Sequence, residues 1–232
     1  MNPPALSPAS PPERPAAPGW PELAVSLILY MALILGLGVF WLLRIPDEQA
    51  AWRGIVGMGL NGLVGVVSLL AAFSLRIRAF RAFGFRAVEG RWLALGAALG
   101  VVAVGLSLII EHVYFSFITE ANNQADFQAA AQAGVLSLLA LVFAGAILTP
   151  LGEELVFRGV IANALNRYGP WAGVLGSAVI FAAAHGPSVI FFNALMAGIL
   201  TGWLFRRTDS LWPGLLTHVV YNGIWLVIYS FQ

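Results

Sequence analysis

The sequence GVLSLLALVFAGAILTPLGEELVFR, residues 134–158, joins a long apolar segment to three ionisable residues. The part Gly134–Gly152 contains no Asp, Glu or Arg, and its length is close to the roughly 20 residues that a helix needs to cross a bilayer. Two glutamates and an arginine follow at once in a sequence that is otherwise apolar. Because ionisable side chains are costly at membrane depth, these three residues are candidates for a functional site.

Further apolar segments lie on both sides of this stretch. Gly186-Pro187 divides the uncharged segment Tyr168–Phe205 into two helices, and Ser210–Gln232 provides the last one. The uncharged segments that precede residue 134 are Leu23–Leu43, Gly54–Leu75 and Trp92–Ile110. The pattern predicts an all-α fold, a polytopic membrane helical bundle with about seven transmembrane helices, with six or eight as the alternatives.

The composition supports a protein that lies in contact with membrane lipids. Of the 232 residues, 59% are hydrophobic and 10% are charged, whereas soluble domains carry about 25% charged residues. The basic residues are all arginines and the formal net charge is +1, which gives no basic surface for nucleic acid. Since the chain has no cysteine, disulfides, thiolate metal ligands and a cysteine nucleophile are excluded.

The chain is expected to divide into three parts. Residues 1–20 are rich in proline, which predicts a disordered tail. Residues 21–133 carry the N-terminal transmembrane helices, and residues 134–232 form the helical core that holds the polar side chains. Several arginines lie in residues 76–91, between the second and third spans. Because cytoplasmic loops are enriched in basic residues, this loop predicts a cytoplasmic N-terminus.

The spacing of the three charged residues after Gly152 separates their roles. Glu154 and Arg158 are four residues apart, so they share one face of a helix and can form an ion pair. Glu153 points about 100° away from Glu154. We therefore expect Arg158 to neutralise Glu154 and to leave Glu153 free for chemistry.

Two histidines and an asparagine add to the polar cluster. His218 and Asn222 are four residues apart and project from the same face of the last helix. Phe181 precedes His185 by four residues, so its ring can pack beneath the imidazole and fix its orientation. Of three histidines in the chain, two belong to this group.

The positions of these residues along their helices predict that they meet. Glu153 lies 16 residues before the turn at Gly169 and His185 lies 16 residues after it, which places both at one depth in a helical hairpin. Pro150 lies one turn before Glu153, where it either begins a new helix or kinks a continuous one. An irregular backbone at membrane depth is tolerated where it lines a water-containing cavity, which suits a hydrolytic site.

Three motifs now stand in order along the chain: Glu-Glu-x-x-x-Arg at 153–158, Phe-x-x-x-His at 181–185 and His-x-x-x-Asn at 218–222. Together they resemble the CAAX prenyl protease and bacteriocin-processing family, also called the CPBP or Abi family, whose members are intramembrane glutamic endopeptidases. The resemblance covers about residues 134–230. No motif in the N-terminal spans identifies a subfamily.

The resemblance implies an intramembrane endopeptidase without a cofactor, acting on a peptide or a prenylated protein. For a chain of this length it also implies a bacterial inner membrane. It implies that Glu153 and His185 activate water, and that His218 and Asn222 stabilise the oxyanion. Glu154, Arg158 and Phe181 would support them.

Two other functions remain open from the residues themselves. Glu153, His185 and His218 are also a plausible ligand set for zinc, with a fourth position open for water. A non-catalytic membrane immunity or scaffold protein could use the same fold. If these residues are purely structural, Glu153 is a second carboxylate paired with Arg158 or Arg167. His218 and Asn222 are then an interhelical hydrogen-bonding pair.

Overall fold

A computed structural model describes residues 17–232, and all regular secondary structure in this part of the chain is helical. Residues 1–16, which form most of the predicted tail, lie outside the described residues. Short 3₁₀ turns lie between the first three helices. The helices are α1 (Trp20–Phe40), α2 (Ala50–Leu75), α3 (Gly90–Phe115), α4 (Ala125–Gln132), α5 (Val135–Tyr168), α6 (Pro170–Ala183), α7 (Val189–Thr208) and α8 (Leu211–Tyr229).

Six helices of residues 17–232 are long and apolar enough to cross a membrane, namely α1, α2, α3, α5, α7 and α8. Helix α6 is shorter, with 14 residues, and ends just before Gly186-Pro187, where the sequence predicts a break. The predicted polytopic helical bundle is confirmed. The sequence does not predict helix α4, because it has only eight residues and lies between the apolar segments that end at Ile110 and begin at Gly134.

The helices alternate in direction, and polar contacts mark two opposite ends of the bundle. At one end, Arg76 after α2 forms an ion pair with Glu22 at the start of α1, with 2.8 Å between Nε and Oε1. At the other end, Arg53 near the start of α2 forms an ion pair with Asp126 of α4 at 2.6 Å. The arginine-rich loop of residues 76–91 therefore lies at the end opposite to α4.

Pro150 explains an irregular stretch in the central helix α5. The helix does not stop at the proline but widens before it into a π-helical segment, Phe143–Leu148, in which Thr149 N–H donates to Ala144 O. The wider turn accommodates the proline ring, which in a regular α-helix would clash with the carbonyl four residues earlier. Because Pro150 has no N–H, the carbonyl of Gly145 is left without a main-chain donor.

Glycines allow α2 and α5 to cross with their backbones in contact. A Cβ atom added at Gly65 would overlap the main chain of Gly152, and one added at Gly62 would overlap the carbonyl of Leu148. Small residues at such positions let membrane helices pack closely. The crossing brings Asn61 of α2 next to Glu153 of α5.

This crossing predicts a large difference between two alanine substitutions in α2. We expect Gly65→Ala to destabilise the protein by about 1–3 kcal/mol, because the added methyl group forces the helices apart. Gly59→Ala is the matched control, because its Cβ would lie 3.9 Å from Ala144 Cβ, an ordinary contact. Thermal unfolding of both variants in detergent measures the difference. Equal unfolding temperatures for the two variants would contradict the close crossing.

Candidate active site

Glu153 is the centre of the polar cluster. The residue is 3% exposed, and Asn61 Nδ2 donates a hydrogen bond to Oε1 at 2.8 Å. His185 Nε2 lies 4.0 Å from Oε1, and His218 Nε2 lies 3.6 Å from Oε2. The structure thus brings Glu153 and His185 together, as their equal distance from the turn at Gly169 predicts.

Glu154 and Arg158 form a separate, fully buried ion pair on the neighbouring face of α5. Arg158 Nε lies 3.3 Å from Glu154 Oε2, and both residues are 1% exposed or less. The guanidinium group also donates to Gly198 O of α7 at 3.2 Å and lies 4.8 Å from the centre of the Phe181 ring. Arg158 therefore pairs with Glu154 rather than with Glu153, and it ties α5 to α6 and α7.

His218 of α8 lies between the two carboxylates. Its Nδ1 is 3.2 Å from Glu154 Oε1, while its Nε2 faces Glu153 Oε2. A carboxylate only accepts hydrogen bonds, so Nδ1 carries the proton in this contact. Nε2 is then an acceptor in the neutral imidazole and a donor in the imidazolium.

His185 is oriented by Phe181, as the four-residue spacing predicts. Its Nδ1 donates to the Phe181 carbonyl at 2.9 Å, and the two rings meet edge to face with 4.8 Å between their centres. Because Nδ1 holds the proton, Nε2 of the neutral ring is unprotonated and faces Glu153. A water molecule between Glu153 Oε1 and His185 Nε2 can donate a hydrogen bond to each.

Asn222 joins the cluster one helical turn after His218. Its Nδ2 donates to Gly145 O at 2.9 Å, the carbonyl that Pro150 leaves without a main-chain donor. Only one of the two amide hydrogens is needed for this bond, so the other can serve a ligand. The second and third motifs are thus both assembled around α5.

The site lies in a cavity of about 250 Å³, slightly below the roughly 300–1,000 Å³ of typical ligand pockets. Its wall extends from Glu153 to Gln124, Phe127 and Tyr229, which lie towards the end opposite the arginine-rich loop. A second cleft of about 210 Å³ between α1 and α2 reaches Glu153 from the other side. Glu153 is therefore accessible to small molecules although it is buried.

Two residues of the N-terminal helices were missed by the reasoning from sequence. Tyr30 of α1 donates its hydroxyl to Asn61 Oδ1 at 2.6 Å, and Asn61 in turn donates to Glu153. A usable signal was present, because Asn61 is the one amide side chain in the apolar segment Gly54–Leu75. Polar residues in membrane helices are frequently functional, whether or not they can ionise.

Two more cavity residues, Glu111 of α3 and Asn193 of α7, received no assigned role from the sequence. Asn193 Nδ2 donates to Glu111 Oε1 at 3.0 Å, and both residues line the cavity that contains Glu153.

Residues 17–232 contain no arrangement of side chains that matches the proposed zinc site. Although Glu153, His185 and His218 are neighbours, the described residues contain no group of three or more His, Asp or Glu side chains placed to hold a metal ion.

Comparisons with known proteins agree with the resemblance carried by the three motifs. Residues 135–224 match the family described as type II CAAX prenyl endopeptidase Rce1-like. The chain is 26% identical over 135 residues to the Bacillus subtilis (strain 168) protein named "Putative membrane peptidase YdiL". This match covers 56% of the chain and 52% of the relative, so the chain spans about half the length of the curated relative. No solved structure matches the chain significantly.

The buried ion pair predicts strong coupling between Glu154 and Arg158. We expect Arg158→Met to lower the free energy of unfolding by about 3–5 kcal/mol, because it leaves a buried carboxylate without its cation. The double variant Glu154→Gln with Arg158→Met should lose much less than the sum of the two single losses. Thermal unfolding of the three variants in detergent tests this. Additive losses would contradict the pairing.

Proposed function

We propose, from the match of residues 135–224 to the CAAX prenyl endopeptidase family, that this integral membrane protein is a peptidase whose water is activated by Glu153 and His185. The observation that carries the proposal is the Glu153 carboxylate, which is buried, faced by two imidazoles and open to a cavity. Asn61 occupies one lone pair of Glu153 Oε1, which orients the carboxylate. Such an arrangement supplies a general base next to a water-accessible space.

In the proposed reaction, Glu153 takes a proton from a water molecule while His185 Nε2 accepts its second hydrogen bond. The water oxygen attacks the carbonyl carbon of the peptide bond, and the carbonyl oxygen becomes negatively charged. Glu153 then returns the proton to the leaving nitrogen. The 4.0 Å between Glu153 Oε1 and His185 Nε2 suits one water molecule bound by both groups.

His218 and Asn222 are the proposed donors to the oxyanion. Asn222 uses one amide hydrogen for Gly145 O and has a second one for the substrate. His218 donates from Nε2 when both of its ring nitrogens are protonated, since Nδ1 already donates to Glu154. Glu154 thus fixes the orientation of the His218 ring through Nδ1, and Arg158 holds Glu154 in place. Removing a single oxyanion donor typically costs about 10²–10³ in rate.

The proposal also covers the orientation of the protein in the membrane and the class of its substrate. The arginine-rich loop favours a cytoplasmic N-terminus, in a bacterial inner membrane. The cavity wall then extends towards the non-cytoplasmic side. A peptide, or a protein that carries a prenyl group, would reach Glu153 from that side or through the apolar cleft between α1 and α2.

Glu153→Gln tests the proposed base. We expect it to lower kcat for cleavage of a fluorogenic peptide by at least about 10³-fold, because an amide cannot accept the proton from water. Glu48→Gln is the matched control, since Glu48 is exposed outside the cavity and loses the same charge. The measurement uses purified protein in detergent, with thermal unfolding as a check on the fold. Cleavage by Glu153→Gln at the wild-type rate would refute the assignment.

The same assay separates the alternatives. Exhaustive treatment with a chelator should leave the rate unchanged, and loss of activity that zinc restores would favour a metal enzyme with the same residues. A wild-type protein that cleaves no peptide, prenylated or not, would favour a non-catalytic membrane protein.

Asn61 is expected to act as a positioning residue for Glu153. We expect Asn61→Leu to lower kcat by about 10–100-fold with little change in KM, as is typical when a hydrogen bond that orients a reactive group is removed. Tyr30→Phe removes only the hydroxyl that holds Asn61 and should have a smaller effect in the same direction. A change in KM alone, or an equal loss in the unfolding temperature for both variants, would indicate a structural role instead.

A further inference from the structure

Glu111 is a half-buried carboxylate at the cavity that contains Glu153. It lies near the end of α3, lines the cavity and accepts one hydrogen bond, from Asn193. Among residues 17–232 no Arg or His forms an ion pair with it. By contrast, the buried Glu22 and Glu154 each have an arginine partner. A carboxylate in a membrane helix without such a partner is costly unless a ligand supplies the positive charge.

Asn193 provides a second observation at the same place. It is 4% exposed and lines the cavity, and its Oδ1 has no hydrogen-bond partner. Its Nδ2 must face Glu111, because a carboxylate accepts and cannot donate. The amide oxygen is therefore left as a buried acceptor, which costs free energy until a donor reaches it.

The part of the cavity around Glu111 and Asn193 offers hydrogen-bond acceptors. Glu111 offers its carboxylate and Asn193 its amide oxygen, and Tyr221 and Tyr229 also line the wall. No arginine belongs to the cavity lining, since Arg158 is held behind Glu154. A group that carries positive charge and several N–H donors would pair with the Glu111 carboxylate and supply the donor that Asn193 Oδ1 lacks.

We propose that Glu111 and Asn193 form a subsite for a cationic group of the substrate, an arginine or lysine side chain or a free N-terminal amine. The inference rests on the proposed peptidase function and narrows its substrate class to peptides with a positive charge near the cleaved bond. Glu111 and Asn193 are then specificity-determining residues, whereas Glu153 and His185 carry the reaction. Both pairs lie in one cavity, so one peptide can occupy them together.

The test compares peptides that differ in charge but not in shape. Apolar fluorogenic peptides with blocked ends carry either arginine or its neutral isostere citrulline at each position in turn, and a second set has a free N-terminus. We expect the purified wild-type protein to prefer arginine at one position by about tenfold or more in kcat/KM, as for a partly buried charge pair. If the free amine is the ligand, unblocking the N-terminus should give the preference instead.

Substitutions in the subsite should remove the preference itself. With Glu111→Gln the ratio of kcat/KM for the arginine and citrulline peptides should fall to near one, and with Asn193→Leu it should fall partly. Glu48→Gln makes the same charge change outside the cavity and should leave the ratio unaltered. A wild-type enzyme that cleaves charged and neutral peptides equally at every position would overturn the subsite, as would a ratio that survives Glu111→Gln.

Binding to the Glu153→Gln variant separates this inference from the proposed function. Fluorescence anisotropy measures the affinity of labelled arginine and citrulline peptides without any cleavage. Tighter binding of the arginine peptide, lost when Glu111→Gln is added, would support the subsite even if the wild-type protein cleaved nothing. Equal affinities of the arginine and citrulline peptides, together with equal affinities of the blocked and unblocked peptides, would overturn the subsite and would leave the role of Glu153 to the cleavage assay.

Discussion

The fully buried guanidinium of Arg158 is the constraint on which the site depends. It is one cation placed near two carboxylates, Glu153 and Glu154, and it pairs with Glu154 at 3.3 Å. Removing such charges from water costs several kcal/mol per ion, so the surrounding groups must compensate. The carbonyl of Gly198, the ring of Phe181 and the imidazole of His218 do so from three different helices. The ion pair therefore fixes where α6, α7 and α8 stand relative to α5, and it leaves Glu153 as a carboxylate that faces two histidines rather than an arginine.

The N-terminal helices complete this arrangement rather than only anchoring it. The glycines of α2 allow its backbone to touch α5, and the same crossing delivers Asn61 to Glu153. Tyr30 of α1 then holds Asn61. Neither residue belongs to the segment 135–224 that matches the peptidase family. The hydrogen bond to the candidate base, and the second bond that holds its donor, thus come from a part of the chain in which the sequence carries no recognisable motif.

The sequence predicts side-chain contacts that depend on spacing within one helix. It does not predict contacts that depend on how two helices cross. Glu154 with Arg158, and Phe181 with His185, are four residues apart, so helical geometry alone predicts their contacts, and the structure contains both. Asn61 has no such neighbour. Its partner Glu153 is 92 residues away and becomes adjacent only through the packing of small residues, which a single sequence does not specify. Helix α4 was missed for a related reason, since it is held by the ion pair of Asp126 with Arg53.

Pro150 links the irregular backbone of α5 to the polar site. Without an N–H group, the proline forces α5 into a wider turn and frees the carbonyl of Gly145. An unpaired carbonyl inside a membrane bundle would cost free energy, and Asn222 offsets that cost by donating to it. The bond also fixes the direction of the Asn222 amide, one turn from His218. The distortion of α5 therefore holds a candidate oxyanion donor in position before any substrate binds. Such preorganisation gives electrostatic catalysis its advantage, since the donor need not be reoriented during the reaction.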